Sequence, residues 1–248
     1  NAGNSKTVNL NNTLGGTDLV NYTVTDQTTT SANINKKNLT ITGLSAVNKV
    51  YDGTTQASIS SANAVFSGLI SGDNVNLAAT GTFDTRHVGD NKLVSLSSSL
   101  QGADAGNYNA TTPSDLRANI TPASLTVRAP TVVKTYDGTT GAPGTATVVG
   151  TLAGASAGDT LDSAALSFTD KNAGTNKTVT AHSALVKDST GANVTGNYTI
   201  GYASGALTID KANATVTANS NTVTYNGQAQ SVTGFSASGL VNGETTAA

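Results

Sequence analysis

The sequence contains no cysteine, methionine or tryptophan, and few of its residues are aromatic or charged. Without cysteine, the chain has neither disulfide bonds nor thiolate metal ligands. Charged residues make up 11% of the chain, against roughly 25% in ordinary domains, so Thr, Ser and Asn must cover much of its surface. The net charge is -2 and no Lys/Arg cluster occurs, which argues against binding to nucleic acid or to an anionic membrane. No apolar run approaches the roughly 18 residues needed to cross a bilayer, so no membrane insertion is expected.

What the sequence does contain is a repeat of about 86 residues. Tyr51 lies in the segment NKVYDGTT, and the same tyrosine returns as Tyr136 in VKTYDGTT and as Tyr225 in TVTYNGQA, at steps of 85 and 89 residues. Other landmarks keep a similar spacing. They are the G-x-x-K segments with Lys6, Lys92 and Lys177, the N-Y segments with Tyr22, Tyr108 and Tyr198, and the SGD, AGD and NGE loops with Asp73, Asp159 and Glu244.

A fixed period of this length indicates a tandem array, and each unit is large enough for a small core of its own. The sequence predicts the C-terminal part of a repeat at 1–35, full repeats at 36–121 and 122–210, and the N-terminal part of another at 211–248. The connections between repeats are only a few residues long, so we expect a stiff rod. The end pieces of two molecules would together lack the equivalent of residues 164–171, and the simpler interpretation is a fragment of a longer array.

The local patterns predict an all-β protein. Short segments such as NLTIT and SLTVR alternate apolar residues with Thr or Ser, Gly/Asn/Asp clusters separate them, and no segment keeps a helical period. We predict a tandem array of small immunoglobulin-like β-sandwich modules, with β-grasp-like modules as the alternative. The segment DAGNYNA resembles the tyrosine corner of immunoglobulin-type domains, in which a tyrosine such as Tyr108 bonds its hydroxyl back to the main chain.

The Tyr-Asp-Gly motif permits two interpretations. Asp52 beside Tyr51 could form a cation site or an acid/base pair, but Asp-Gly and Asn-Gly are also strong turn dipeptides because they tolerate positive φ. The third repeat carries Asn226 in place of the acid. This substitution keeps the turn and loses the carboxylate, so a turn is favoured.

Other chemistry has little support in the sequence. His87 and His182 occupy non-equivalent positions, and no nucleophile elbow or calcium-binding repeat motif occurs. We therefore expect no enzymatic activity and no cofactor. The one alternative left open is a weakly bound structural Ca²⁺ in the polar loops SGDNVN and AGDTLD.

Taken in order, NKVYDGTT, VKTYDGTT, the G-D loops and the G-x-x-K segments resemble YDG-type repeats of large bacterial surface or secreted adhesins, including filamentous-haemagglutinin-like exoproteins of the two-partner secretion type. The last segment, 211–248, resembles the related MBG-type repeat through YNG and GLVNGE. The resemblance implies an extracellular or cell-surface stalk or filament segment that supports adhesion, aggregation or biofilm formation, with no catalytic residues to carry over. The residues expected to define each repeat are Tyr51, Asp52, Gly53, Tyr136, Asp137, Gly138, Tyr225, Asn226, Gly227, Tyr22, Tyr108 and Tyr198.

The expected partners follow from the same considerations. Each repeat should contact its neighbours in the chain, and strands with few edge lysines predict self-association into fibres. A module that binds host or matrix glycans is the alternative function. It would require a groove of exposed aromatic side chains, which is hard to build from seven Tyr and four Phe.

Overall fold

The computed structural model describes residues 1–168 and 170–246. Within this part of the chain the regular secondary structure consists of β-strands and four short 3₁₀ turns. This confirms the all-β prediction. The 3₁₀ turns are Leu19–Asn21, Ala105–Asn107, Ala155–Ala157 and Thr195–Asn197.

The chain divides into two compact units. Unit 1 contains Asn1–Lys49 and Thr55–Thr121, and unit 2 contains Val50–Thr54 and the described residues from Pro122 onward. The short segment Val50–Thr54, which carries the first Tyr-Asp-Gly motif, therefore packs with unit 2. The division into four repeat segments stays a prediction.

Twelve strands lie between residues 1 and 121. β1 pairs with β2, and β10 lies inside a five-stranded sheet of order β5-β12-β10-β9-β6. A second sheet has the order β11-β3-β8, and β4 pairs with β7. The strands are β1 Gly3–Asn9, β2 Thr29–Ile34, β3 Lys37–Thr42, β4 Ser45–Ala46, β5 Lys49–Val50, β6 Gln56–Ala57, β7 Ile59–Ser60, β8 Val65–Ser67, β9 Asn76–Phe83, β10 Gly89–Gln101, β11 Tyr108–Thr111 and β12 Leu116–Thr121.

The rest of the described chain repeats this arrangement. A four-stranded sheet has the order β14-β19-β17-β16, a three-stranded sheet the order β15-β13-β18, and β20 pairs with β21. The segment AALSFTDK, expected to be a strand, is covered by β16 as far as Ser167, and its Thr169 lies outside the described residues. The strands are β13 Ala123–Arg128, β14 Val132–Thr135, β15 Thr147–Val148, β16 Thr160–Ser167, β17 Gly174–Lys187, β18 Tyr198–Ala203, β19 Gly205–Asp210, β20 Thr215–Ala218 and β21 Phe235–Ser238.

The repeated sequence landmarks occupy equivalent structural positions. Each G-x-x-K segment forms a β-bulge at the start of β1, β10 or β17, where the register shifts between the Gly and the Lys. The residue before each lysine has positive φ, near 50°. Each N-Y tyrosine directly follows a 3₁₀ turn, and the strand that begins there in the two full repeats, β11 or β18, runs parallel to β3 or β13.

The core forms where the apolar residues of two sheets meet. In β3, alternate residues such as Leu39 and Ile41 are buried, and the buried residues of the five-stranded sheet include Phe83, Val94 and Ile120. Alternation with Thr, Ser and Asn leaves the other face of each strand exposed, as expected for sheets with one dry face. Each full repeat thus has the two sheets of a sandwich-like fold rather than the single sheet of the β-grasp-like alternative.

Candidate functional site

The Tyr-Asp-Gly motifs form tight turns. Asp52 accepts hydrogen bonds at Oδ1 from the backbone N–H and the hydroxyl of Thr54, both at 2.8 Å. Asp137 makes the same two bonds with Thr139 at 2.9 Å. The glycine that follows has φ of 79° at Gly53 and 75° at Gly138. These are Asx turns in which the carboxylate bonds its own backbone.

The third motif makes the same turn without a carboxylate. Asn226 accepts the backbone N–H of Gln228 at 3.1 Å and also bonds the side chain of Gln230, and Gly227 has φ of 74°. An amide oxygen therefore replaces the carboxylate oxygen as acceptor, and the acid is not needed for the turn.

A lysine two residues before the tyrosine of each of the first two motifs lies over a phenylalanine ring. Lys49 lies 5.7 Å from the centre of the Phe83 ring, and Lys134 lies 4.9 Å from the Phe168 ring. Lys134 also pairs with Asp137 at 2.7 Å, and this hydrogen bond, together with those from Thr139, lowers the pKa of Asp137 to about 2. In unit 2, the ion pair of Lys134 with Asp137 and its cation–π contact with Phe168 together link the turn to a buried ring.

The tyrosine of the first motif is buried within unit 2. Tyr51 is 1% exposed, and its hydroxyl donates to Oδ2 of Asp159 at 2.7 Å. Its ring meets that of Tyr198 edge to face, with centroids 5.4 Å apart and an interplanar angle of 78°. This geometry is the favourable one for two aromatic rings.

Tyr198 completes the arrangement from the opposite side. Its hydroxyl donates to the same Oδ2 of Asp159 at 2.8 Å and accepts the backbone N–H of Gly154 at 3.1 Å. Burial raises the pKa of Tyr198 above its ordinary value of 10.0, and the bond to Asp159 raises it further. Two tyrosine hydroxyls thus share one carboxylate that is 2% exposed.

The backbone at Gly53 and Gly154 lies very close to its neighbours around the Asp159 carboxylate. A Cβ added to Gly154 would lie 2.2 Å from Oδ2 of Asp159, and a Cβ added to Gly53 would lie 2.7 Å from the Cβ of Ala157. Real Cβ atoms do not approach so closely, so both glycines are needed for the turn and the loop to meet.

At two further sites a loop carboxylate bonds one tyrosine hydroxyl instead of two. In unit 1 the hydroxyl of Tyr108 bonds Asp73 and accepts the backbone N–H of Ile70 at 3.1 Å. In unit 2 the hydroxyl of Tyr136 bonds Glu244, while Nδ2 of Asn242 donates to the carbonyl of Gly138 at 3.1 Å. The pKa of Tyr108 is raised mainly by burial, and that of Tyr136 mainly by its bond to Glu244. Asp73 therefore has the N-Y tyrosine, Glu244 has the Y-D-G tyrosine, and Asp159 has both.

The remaining predicted residues lie apart from these sites. Tyr22 is 71% exposed and Tyr225 is 91% exposed. Within residues 1–168 and 170–246, the structure gives neither hydroxyl a hydrogen-bond partner. The tyrosine-corner prediction for Tyr108 holds only in part, since its hydroxyl reaches the main chain at Ile70, 38 residues upstream, rather than a few residues away.

The loop carboxylates were missed as partners of the tyrosines. Sequence reasoning treated SGD and AGD as polar loops that could hold an ion, whereas Asp159 is buried beneath two tyrosines. One signal was available: the loops keep an acid in all three repeats, at Asp73, Asp159 and Glu244, while the Tyr-Asp-Gly motif does not.

Chemically, these sites are suited to holding structure together. A tyrosine with a raised pKa keeps its proton and donates it to the carboxylate, and such hydrogen bonds to a carboxylate are strong. In the described part of the chain no group of three or more His, Cys, Asp or Glu side chains could hold a metal ion. The same residues include no helix that is long and apolar enough to span a membrane.

A tandem all-β repeat whose turns and loops are joined by tyrosine–carboxylate bonds is the class of protein that this geometry defines. The YDG domain model matches residues 35–115 and 121–205, about two thirds of the chain. The chain therefore belongs to the YDG domain family. Tyr51 lies in the first matched domain, and Asp159 and Tyr198 lie in the second. No curated protein and no solved structure matches the chain. The MBG-type character of 211–248 stays a prediction.

Proposed function

We propose that this chain is a structural stalk or filament segment of an extracellular bacterial adhesin. The observation that carries the proposal is the burial of Tyr51, from the first YDG domain, against Asp159 and Tyr198 of the second. Such a contact joins a turn of the first domain to a loop of the second, as an array that carries tension requires.

The connections between strands support the same role. Only two residues separate β2 from β3, and Pro122 alone separates β12 from β13. Such connections are too short for flexible tethers. The absence of cysteine suits a segment that folds by packing and hydrogen bonds alone, and the proposed role needs neither catalysis nor a cofactor.

The location can be tested with antibodies raised against the purified chain. In a bacterium that produces the parent protein, we expect the antibodies to label intact, unpermeabilised cells. Labelling that appears only after lysis would rule out an extracellular stalk. An antibody against a cytoplasmic protein serves as the control for cell integrity.

The mechanical role can be tested by pulling single molecules from both ends. A stalk segment should show separate unfolding events, each releasing about 280–310 Å for a repeat of about 85 residues. Extension without discrete events would contradict the proposal.

The alternative function, glycan or receptor binding, makes a different prediction. The exposed rings of Tyr22 and Tyr225 are the surfaces on which a sugar could stack. Selective glycan binding by the purified chain that is lost in Tyr22→Ala or Tyr225→Ala would favour this alternative over a purely structural role.

A further inference from the structure

Two stretches of the second full repeat pair in parallel along their whole length. β13 pairs with β18, and β14, which follows β13, pairs with β19, which follows β18. The numbers of the paired residues differ by 75 in both strand pairs, from Ala123 with Tyr198 at one end to Thr135 with Asp210 at the other. The stretches β13–β14 and β18–β19 therefore form one structure in a single register, which we name the parallel ribbon.

The parallel ribbon passes from one sheet to the other without losing its pairing. β13 and β18 belong to the three-stranded sheet, whereas β14 and β19 belong to the four-stranded sheet. At the crossing the backbone N–H of Ala129 donates to the carbonyl of Ala203 at 2.9 Å. A Cβ added to Gly205 would lie 2.0 Å from the carbonyl oxygen of Pro130. This glycine is therefore needed for the two stretches to stay together where they change sheets.

The core fixes the register of the parallel ribbon. Leu125 and Val127 in β13 are 4% and 0% exposed, and Leu207 and Ile209 in β19 are 0% and 2% exposed. Side chains of a strand alternate between its two faces, so a slip by one residue would turn this buried set toward solvent. Packing and backbone hydrogen bonds thus both oppose sliding of one stretch along the other.

The first full repeat contains a shorter parallel pairing. There β3 pairs in parallel with β11 over Tyr108–Thr111. Residues 112–115 then separate β11 from β12, whereas Ser204 alone separates β18 from β19. The fold therefore does not require a continuous ribbon, and the inference concerns the second full repeat, which has one.

The direction of the two stretches decides how they respond to tension along the chain. The chain enters this repeat at the start of β13 and leaves it at the end of β19. Tension pulls Ala123 toward the N-terminus and Asp210 toward the C-terminus. Because the two stretches run in the same direction, these pulls slide one past the other and load all the hydrogen-bonded pairs together. A force that separates the stretches from one end would instead break the pairs one after another.

We propose that the parallel ribbon is a mechanical clamp, which resists tension along the chain more strongly than it resists separation of the same strands from one end. The clamp would be the element of the repeat that carries force. Its use in a stalk rests on the proposed function, whereas the clamp itself follows from the strand pairing within the repeat.

Pulling the full chain in two directions tests the proposal. Since the chain has no cysteine, two introduced cysteines, coupled through thioethers, define the points of attachment. S124C/D210C loads the parallel ribbon by sliding, and S124C/T199C separates two paired residues at one end. All three positions are exposed. At the same constant force, S124C/D210C should unfold at least about tenfold more slowly, because forced unfolding follows the unfolding rate.

The control for this comparison is the stability of the two variants without force. Denaturant unfolding should give both the wild-type free energy, so that the direction of the force is the difference between them. Equal lifetimes in the two directions, or a longer lifetime for S124C/T199C, would overturn the proposal.

A substitution at the crossing gives a second test. In the S124C/D210C background, Gly205→Ala should separate the two stretches and shorten the lifetime under force. Val186→Ala is the matched control, because Val186 is fully buried in β17, outside the parallel ribbon. For the same loss of unfolding free energy, Gly205→Ala should accelerate forced unfolding more than Val186→Ala does. An equal or smaller acceleration would count against the clamp.

The clamp and the stalk can fail separately. Discrete unfolding events with equal lifetimes in the two directions would remove the clamp and leave the stalk. Antibody labelling that appears only after lysis would remove the extracellular stalk, whereas a slower unfolding of S124C/D210C would still support the clamp.

Discussion

The first and third Tyr-Asp-Gly motifs have nearly the same turn but opposite surroundings. Asp52 and Asn226 both bond the backbone two residues ahead, and the glycine φ values differ by only about 5°. Yet Tyr51 is 1% exposed and Tyr225 is 91% exposed. The turn is thus a local property of three residues, whereas the environment of the tyrosine depends on whether a loop carboxylate of another repeat is within reach.

Truncating a core residue should give the largest difference in unfolding free energy between a full repeat and an end segment. Ile120→Ala should lower the free energy of unfolding by about 2–5 kcal/mol, because it removes a fully buried side chain and leaves a cavity. The equivalent change Ile34→Ala should cost under about 0.5 kcal/mol, because Ile34 is half exposed. Denaturant unfolding measures both, and similar losses would show that Ile34 is as well packed as Ile120.

Removing a loop carboxylate should have the next largest effect on the unfolding free energy. Asp159→Ala leaves two buried tyrosine hydroxyls without their acceptor and should cost about 2–4 kcal/mol. Asp73→Ala affects only Tyr108 beside an open cavity, where water can replace the carboxylate, and should cost about 1 kcal/mol. The measurement is denaturant unfolding of each variant. Equal losses at the two positions would mean that the second tyrosine adds nothing.

The hydroxyl of the motif tyrosine can be removed alone. Tyr51→Phe keeps the ring contact with Tyr198 and loses the bond to Asp159, so we expect a loss of about 1 kcal/mol. Tyr225→Phe should leave the unfolding free energy unchanged, because Tyr225 is 91% exposed. A loss of stability in Tyr225→Phe would mean that this hydroxyl has a partner within the chain.

Alkaline pH should weaken unit 2 through Tyr198. Its pKa is raised in the folded state, so its contribution is fully present below pH 10, the pKa of the unfolded chain, and is lost as pH rises above that value. Unfolding free energies measured from pH 8 to about 11 should fall. Tyr198 should contribute at most about 1.4 kcal/mol per pH unit to the slope, and Tyr108 and Tyr136, whose pKa values are also raised, should add to it. Tyr198→Phe should reduce this slope, and an unchanged slope in the variant would show that Tyr198 does not contribute to it.

Acid should have the smallest effect, through Asp137. Its pKa is lowered to about 2 by the hydrogen bonds from Lys134 and Thr139, so its contribution is present above the ordinary value of 3.8 and is lost as pH falls through about 2. Melting temperatures of the wild type and Asp137→Asn should therefore converge between pH 5 and pH 2. Because Asp137 is exposed, the difference at neutral pH should be small, and a difference that does not depend on pH would contradict this cause.

The sequence predicted those features that depend on local pattern or on internal repetition. Alternating segments such as Lys37–Thr42 predicted the strands, and the Asp-Gly and Asn-Gly dipeptides predicted the turns. The common spacing of Tyr22, Tyr108 and Tyr198 indicated one shared position, which is the residue after a 3₁₀ turn.

The contacts between repeats could not be predicted in this way. Tyr51 and Asp159 are 108 residues apart, and no periodic pattern says which polar loop will be buried by which turn. The β-bulges could not be predicted for another reason. The G-x-x-K segments can be recognised in the sequence, but the register shift depends on pairing with a strand that lies well separated in the sequence. The structure thus adds mainly the partners of side chains that the sequence had already marked.

The assignment of Val50–Thr54 to unit 2 has a consequence for cooperativity. The residues on either side of this segment, up to Lys49 and from Thr55, fold with unit 1. Unfolding unit 1 would therefore free both ends of a segment that carries a buried tyrosine of unit 2, and unfolding unit 2 would release that segment from its site. The melting of one unit should lower the stability of the other, so the two should respond to heat as coupled neighbours rather than as independent domains.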